Sequence, residues 1–226
     1  MKKLLCISLI ILLWACADKP KQENNEPQAS PDVQLSPQPA PLEETVLPEQ
    51  DEERTEWQNP ELVLKVLGDL KDKTVADVGA GSGYFTFKIA RTAKKVIALD
   101  IDPNSLEYIN NQKAIVGSWA DNIEARLTPP DVPNLLDAEA DIVLIVNTYG
   151  YIPNKDKYLL RLYQGLKSGG KLVVVDFKSG EIPVGPSDEH KVSAAELQKS
   201  LKRAGFNNLA TDLKSLEFQY IITAEK

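Results

Sequence analysis

The chain has 226 residues, enough for one substantial domain and an appendage. It carries 26 basic against 33 acidic residues, a formal net charge of −7, which excludes a protein that grips nucleic acid non-specifically through a basic face. Both cysteines, Cys6 and Cys16, stand at the extreme N-terminus and His190 is the lone histidine, so the body is expected to hold no disulfide and no metal site.

Lys2 and Lys3 precede an apolar run, Leu4 to Leu13, that is too short to span a bilayer as a helix. Residues 1–15 therefore read as a secretory signal peptide. The end of that run, Leu13-Trp14-Ala15-Cys16, resembles a bacterial lipobox. The resemblance implies cleavage before Cys16, acylation of its thiol, and a place on the bacterial cell envelope, at the outer membrane or the periplasmic face. Several acyl chains on one residue would give stable anchoring. Residues 16–53 follow as a tether, with seven prolines from Pro20 to Pro48 and no glycine, a composition that cannot bury a core and is expected to be disordered. The remaining residues, 54–226, are expected to form the folded domain.

In that domain Asn59-Pro60 opens a helix with Leu62, Val63, Val66 and Leu67 on one face, and Trp57 just ahead of it is expected to pack on the domain. Thr74 to Val78 is a short apolar run of the kind buried on both faces of a sheet. Gly79, Gly81 and Gly83 follow at alternate positions, where a missing Cβ would let a ligand lie against the main chain. The pattern then turns helical from Tyr84 to Ala93, and the start of such a helix aims free N–H groups at the glycine loop. Lys95 to Asp100 is a second strand, and Asp100, about 20 residues past the glycines, is placed to accept hydrogen bonds from ribose hydroxyls. Two residues separate the possible ligands. Tyr84 stands where a dinucleotide fingerprint has its third glycine, and Asp77 would repel a pyrophosphate but attract a sulfonium or an ammonium.

Asp102-Pro103 opens the next helix, running through Leu106, Tyr108 and Ile109 toward Trp119. Ile123 to Leu127 is a third strand ending in Thr128-Pro129-Pro130-Asp131, and Asp141 to Val146 is a fourth, followed by Asn147-Thr148-Tyr149-Gly150-Tyr151. In open α/β sheets that strand end carries the ligand site. Asn154 to Leu166 reads as a helix, Lys167 to Gly170 as its end, and Lys171 to Asp176 as a fifth strand. Ser193 and Glu196 form a capping box opening the last helix, and two strands close the chain near Leu209–Thr211 and Phe218–Ala224. Strand and helix alternation at this spacing gives an α/β fold, a doubly wound, mostly parallel seven-stranded sheet.

VADVGAGSGY, Val75 to Tyr84, resembles motif I of class I S-adenosylmethionine-dependent methyltransferases. LKSGGKLVVVDF, Leu166 to Phe177, is similar to the family's glycine turn into its fifth strand. The resemblance implies S-adenosyl-L-methionine as cofactor. It places cofactor contacts on Asp77, Gly79, Ala80, Gly81, Gly83 and Tyr84, on Asp100 and Ile101, and on Asn147. It also places one on Asp131, as the partner of the adenine amino group, with Asp121 second, and implies a last strand pairing antiparallel at the sheet edge. NTYGY is similar to a bacterial group that continues this segment with histidines, which Gly150 and Tyr151 replace here. Methyl transfer from a sulfonium asks the protein mainly for orientation and exclusion of water. An acceptor that carries a proton would still want a base, for which Tyr149 and His190, then Tyr151 and Asp176, are the candidates. The acceptor is expected to be a small molecule rather than nucleic acid. The alternative is a lipoprotein that keeps the fold without catalysis and binds a ligand or partner. A nicotinamide-dependent oxidoreductase is disfavoured by Tyr84 and Asp77.

Overall fold

In the computed structural model the described residues are 49–226, with side chains described from Arg54 onward. Cys16, the signal segment and the tether as far as residue 48 lie outside the described residues. The described chain opens with helix α1, Glu49–Gln58, which overlaps the last residues of the expected tether. Helix α2, Pro60–Leu67, follows at once, because Asn59 caps it: its Oδ1 accepts the Leu62 N–H and proline takes the first turn.

Seven strands make one sheet: β1 Thr74–Val78, β2 Lys95–Asp100, β3 Ile123–Leu127, β4 Ala140–Val146, β5 Leu166–Phe177, β6 Asn207–Asp212 and β7 Gln219–Glu225. Their order is β3-β2-β1-β4-β5-β7-β6. The pairs among β1 to β5 are parallel, and β7 runs antiparallel to both β5 and β6. The last strand is thus antiparallel as expected, but it inserts between β5 and β6, and the edge belongs to β6. Helices α3 Tyr84–Ala90, α4 Pro103–Val116, α5 Lys155–Gly165 and α6 Ala194–Arg203 complete the two covering layers.

Alternate residues of each central strand feed two cores. Val75, Val96, Ala98, Leu144 and Val175 face α2, α3 and α4, where Val63, Phe85, Ile89 and Ile109 meet them. Ala76, Ile97, Val143, Ile145 and Val174 face α5 and α6, where Leu159, Leu162, Leu197 and Leu201 meet them. Burial on both faces is why these strands read as continuous apolar runs. The chain reverses its winding between β1 and β4, so a crevice opens beyond their C-terminal ends. Three boundaries differ from expectation: α3 stops at Ala90 rather than Ala93, α4 stops at Val116 with Ser118–Ala120 as a separate 3-10 turn, and the start of β5 moves. Lys167 to Gly170 lie within β5 rather than in a turn before it, and the β4–β5 ladder shifts register between Ala140 and Ile142 to admit them.

Candidate active site

The floor of the crevice is the loop between β1 and α3. The Gly79 and Ala80 N–H groups both donate to the Leu99 carbonyl, at 2.8 and 3.1 Å, laying the loop across the end of β2. The glycines have separate duties. Gly79 has φ +73, and a Cβ there would stand 2.2 Å from Thr148 Oγ1. At Gly83 a Cβ would meet the Phe87 ring at 2.8 Å, so that glycine serves the packing of α3. At Gly81, with φ +53, a Cβ would meet nothing within 4 Å. Gly79 and Gly83 are therefore demanded by the protein itself, and Gly81 presents bare backbone to open space.

Two adjoining cavities meet over Gly79, Asn147 and Thr148. The inner one, about 240 Å³, lies between Asp100 and Ile101 on one side and Thr128, Pro129 and Pro130 on the other. Asp100 accepts the Gly81 N–H at 2.7 Å and the Asp102 N–H at 2.9 Å, one on each carboxylate oxygen. A carboxylate oxygen has a second acceptor site, so both can still take hydroxyl protons. Ile101, 60 % exposed, offers an apolar face beside it for a planar ring. The outer cavity, about 500 Å³, is walled by Asp77, Tyr84, Phe85, Arg54 and Trp57.

Asp77 is buried and accepts the Thr86 hydroxyl at 2.7 Å. Burial pushes its carboxyl up to about 6, against the pull of Thr86 and of the nearby Arg54 guanidinium. The Arg54 guanidinium lies 4.3 Å from the Tyr84 ring centroid. The arrangement suits one elongated ligand, with a hydroxylated ring at Asp100, a cation toward Asp77, and its middle against the glycine backbone. The residues present therefore fit a nucleoside carrying a cationic tail.

The remaining candidates fall elsewhere. Tyr149 is fully buried among the α5–α6 core, and its hydroxyl is withdrawn from solvent with no hydrogen-bond partner of normal geometry among the described residues. Burial raises its phenol to about 12, which disqualifies it as a base near neutral pH. Tyr149→Phe is expected to leave ligand affinity unchanged and stability equal or higher by up to about 1 kcal/mol, read by thermal unfolding and titration. His190 stacks on Tyr151, centroids 4.7 Å apart, so it braces the exposed ring that borders the inner cavity. Asp176 is also buried and raised to about 6 by that burial, but it lines neither cavity, and by accepting the Phe177 and Gly150 N–H groups it pins the Asn147–Tyr151 turn.

Asp131 pairs with Lys157 at 3.2 Å on the surface, and the cavity wall at this point is Thr128 to Pro130 instead. Asp121 caps a short 3-10 turn, also outside both cavities. Asp131→Ala is accordingly expected to change ligand affinity by less than about twofold, since an exposed pair is worth about 0–1 kcal/mol; isothermal titration reads it. Asn147 does border both cavities, with φ +56, but its side chain turns to Gln58 and Gln219. Arg54 and Gln58 carry no site signal in the sequence, and Thr148 is visible only as part of the segment that follows β4. A polar, acidic helix gives no periodic signal, and contacts between residues this far apart leave none.

A family model described as a methyltransferase domain matches residues 76–174. The solved structure of an S-adenosylmethionine-dependent methyltransferase from Aquifex aeolicus is similar at 26 % identity and a TM-score of 0.69, covering 76 % of this chain and 92 % of that one. This is the class I methyltransferase fold. A demethylmenaquinone methyltransferase of Tropheryma whipplei (strain Twist) is 36 % identical over 113 residues, 50 % of this chain and 45 % of its own. A tRNA U34 carboxymethyltransferase of Shewanella sediminis is 30 % identical over 189 residues, 76 % of this chain and 55 % of its own. The chain thus spans about half the length of the curated relatives it matches.

Proposed function

We propose that this chain is an S-adenosylmethionine-dependent methyltransferase acting on a small-molecule acceptor, tethered to a membrane through acylated Cys16. The observation that carries it is the pair of cavities joined over Gly79, with Asp100 at one end and Asp77 at the other. The cofactor is S-adenosylmethionine, which supplies an electrophilic methyl group on a sulfonium. Asp100 would hold its ribose, Ile101 would flank its base, and Asp77 would face its cationic end, while Gly81 leaves the backbone open to it. The leaving thioether is neutral and needs no acid, so the chain's task is to orient the two partners and exclude water. Tyr84, Phe85 and Trp57 supply the apolar part of the wall.

A small acceptor is favoured by the outer cavity, which holds about 500 Å³ for the cofactor tail and acceptor together, and by the net charge of −7. Tethering rests on Lys2, Lys3, the apolar run and the lipobox-like Leu13 to Cys16. Titration calorimetry with S-adenosylmethionine and S-adenosylhomocysteine tests the cofactor site: micromolar binding supports it, and no binding at millimolar ligand sinks it. Metabolic labelling with a fatty acid, and its loss in Cys16→Ser, tests the anchor.

A further inference from the structure

Three amide side chains from distant parts of the chain meet behind the wall of the outer cavity, which Asn147 lines. Gln58 ends α1, Asn147 follows β4, and Gln219 begins β7; Gln58 and Gln219 are completely buried. They satisfy one another. Gln58 Nε2 donates to Gln219 Oε1 at 3.3 Å, Asn147 Nδ2 donates to Gln58 Oε1 at 3.4 Å, and Gln219 Nε2 donates to Asn147 Oδ1. Arg54 Nε donates to the same Gln58 oxygen. Helix α1 is fastened twice more. Thr55 Oγ1 and the Tyr84 hydroxyl share a hydrogen bond of 2.7 Å, and the Trp57 and Phe177 rings lie 5.7 Å apart.

All of these attachments reach the C-terminal rim of the sheet, where the crevice is, and of the residues they join only Asn147 also borders the inner cavity. An apolar side chain at position 58 would pack there without needing any partner. A buried amide does something more: its hydrogen bonds can be met in one position of the helix only, and a slide of one residue would leave several amides unpaired. Arg54 lies four residues before Gln58, on the same helical face, and both Arg54 and Trp57 wall the outer cavity.

We propose that Gln58 is a positioning residue, which locks α1 in register so that Arg54 and Trp57 close the part of the cavity that takes the amino-acid tail of the cofactor. The segment nearest the tether is then part of the active site and not an appendage to it. This deepens the methyltransferase reading and rests on it.

The test separates the two cavities by ligand. Adenosine reaches only the inner one, and S-adenosylhomocysteine spans both. With the full chain in detergent, Gln58→Ala is expected to weaken S-adenosylhomocysteine by about tenfold or more and to leave adenosine within about twofold. Trp57→Ala, at a partly exposed position, is expected to show the same selective loss, and it keeps the test decisive where Gln58→Ala fails to fold. Equal losses for both ligands would mean a general structural role and would overturn the proposal, as would unchanged S-adenosylhomocysteine affinity in Trp57→Ala. A wild-type chain that binds neither ligand would overturn the cofactor reading, and this inference with it.

Discussion

Asp100→Ala is expected to cost S-adenosylhomocysteine two to three orders of magnitude in affinity, the largest single loss in the site. The carboxylate does two jobs at once. Its oxygens hold the Gly81 and Asp102 N–H groups, at 2.7 and 2.9 Å, and so shape the glycine loop and the turn into α4. Their remaining acceptor sites face the inner cavity, where ribose hydroxyls would donate. Hydrogen bonds to a charged group are worth about 1.5–3 kcal/mol each, so losing two ribose bonds at the lower part of that range costs about 3–4 kcal/mol, or about 100- to 1,000-fold. Asp100→Asn keeps one acceptor oxygen but sets its amide nitrogen against the Gly81 or the Asp102 N–H, and should fall about tenfold or more. Adenosine should lose as much as S-adenosylhomocysteine in both variants, because the contact belongs to the nucleoside. Calorimetric titration decides it, with circular dichroism confirming the fold. Affinity within threefold of wild type in Asp100→Ala would refute the ribose assignment.

Much of this geometry is legible in residue order alone, and the parts that are not have a common cause. β1, β2 and β3 begin and end where apolar patterning puts them, at Thr74–Val78, Lys95–Asp100 and Ile123–Leu127. β1 and β2, between two helical layers, are almost wholly apolar, β3 at the sheet edge alternates Ile123, Ala125 and Leu127 with Glu124 and Arg126, and turn residues bound all three sharply. The Ser193–Glu196 capping box and the Asn59 cap are equally local and equally visible. What local pattern cannot show is a feature made by distant partners. Helix α1 has the sequence EQDEERTEWQ, with a single apolar residue, and its place comes from Tyr84, Phe177 and Asn147. Tyr149 sits at the strand end where an acceptor contact is expected, yet the 3-10 turn there directs its ring into the α5–α6 core. Asp131 shows the same limit on a loop, where pairing with Lys157 turns it from the cavity.

Asp77→Asn is expected to make the protein more stable and the site weaker. Asp77 is buried in β1 with Thr86 as its hydrogen-bond donor, and burial lifts its carboxyl from the ordinary carboxylate range to about 6. The folded state therefore holds this proton more tightly than the unfolded chain does. Stability from this group is complete below about 4, and it is lost as pH rises through about 6. At pH 7.5 the ionised carboxylate costs on the order of 3 kcal/mol, from a shift of about two pK units at about 1.4 kcal/mol each. Asparagine can still accept the Thr86 hydroxyl and carries no charge, so the unfolding midpoint should rise at pH 7.5, and the gain should shrink toward pH 4.5. Asp176 adds a slope of the same sign to both proteins and cancels from the difference. The ligand should respond oppositely. The carboxylate facing the outer cavity is what attracts a cationic tail, so Asp77→Asn should weaken S-adenosylmethionine by about tenfold or more, and wild-type affinity should itself fall below about pH 6. A variant that is more stable yet binds as tightly as wild type would show that Asp77 does not meet the cation. A charge kept at a net cost to the fold is best explained by what it binds, which makes this substitution the sharpest separation of structural from functional demand in the molecule.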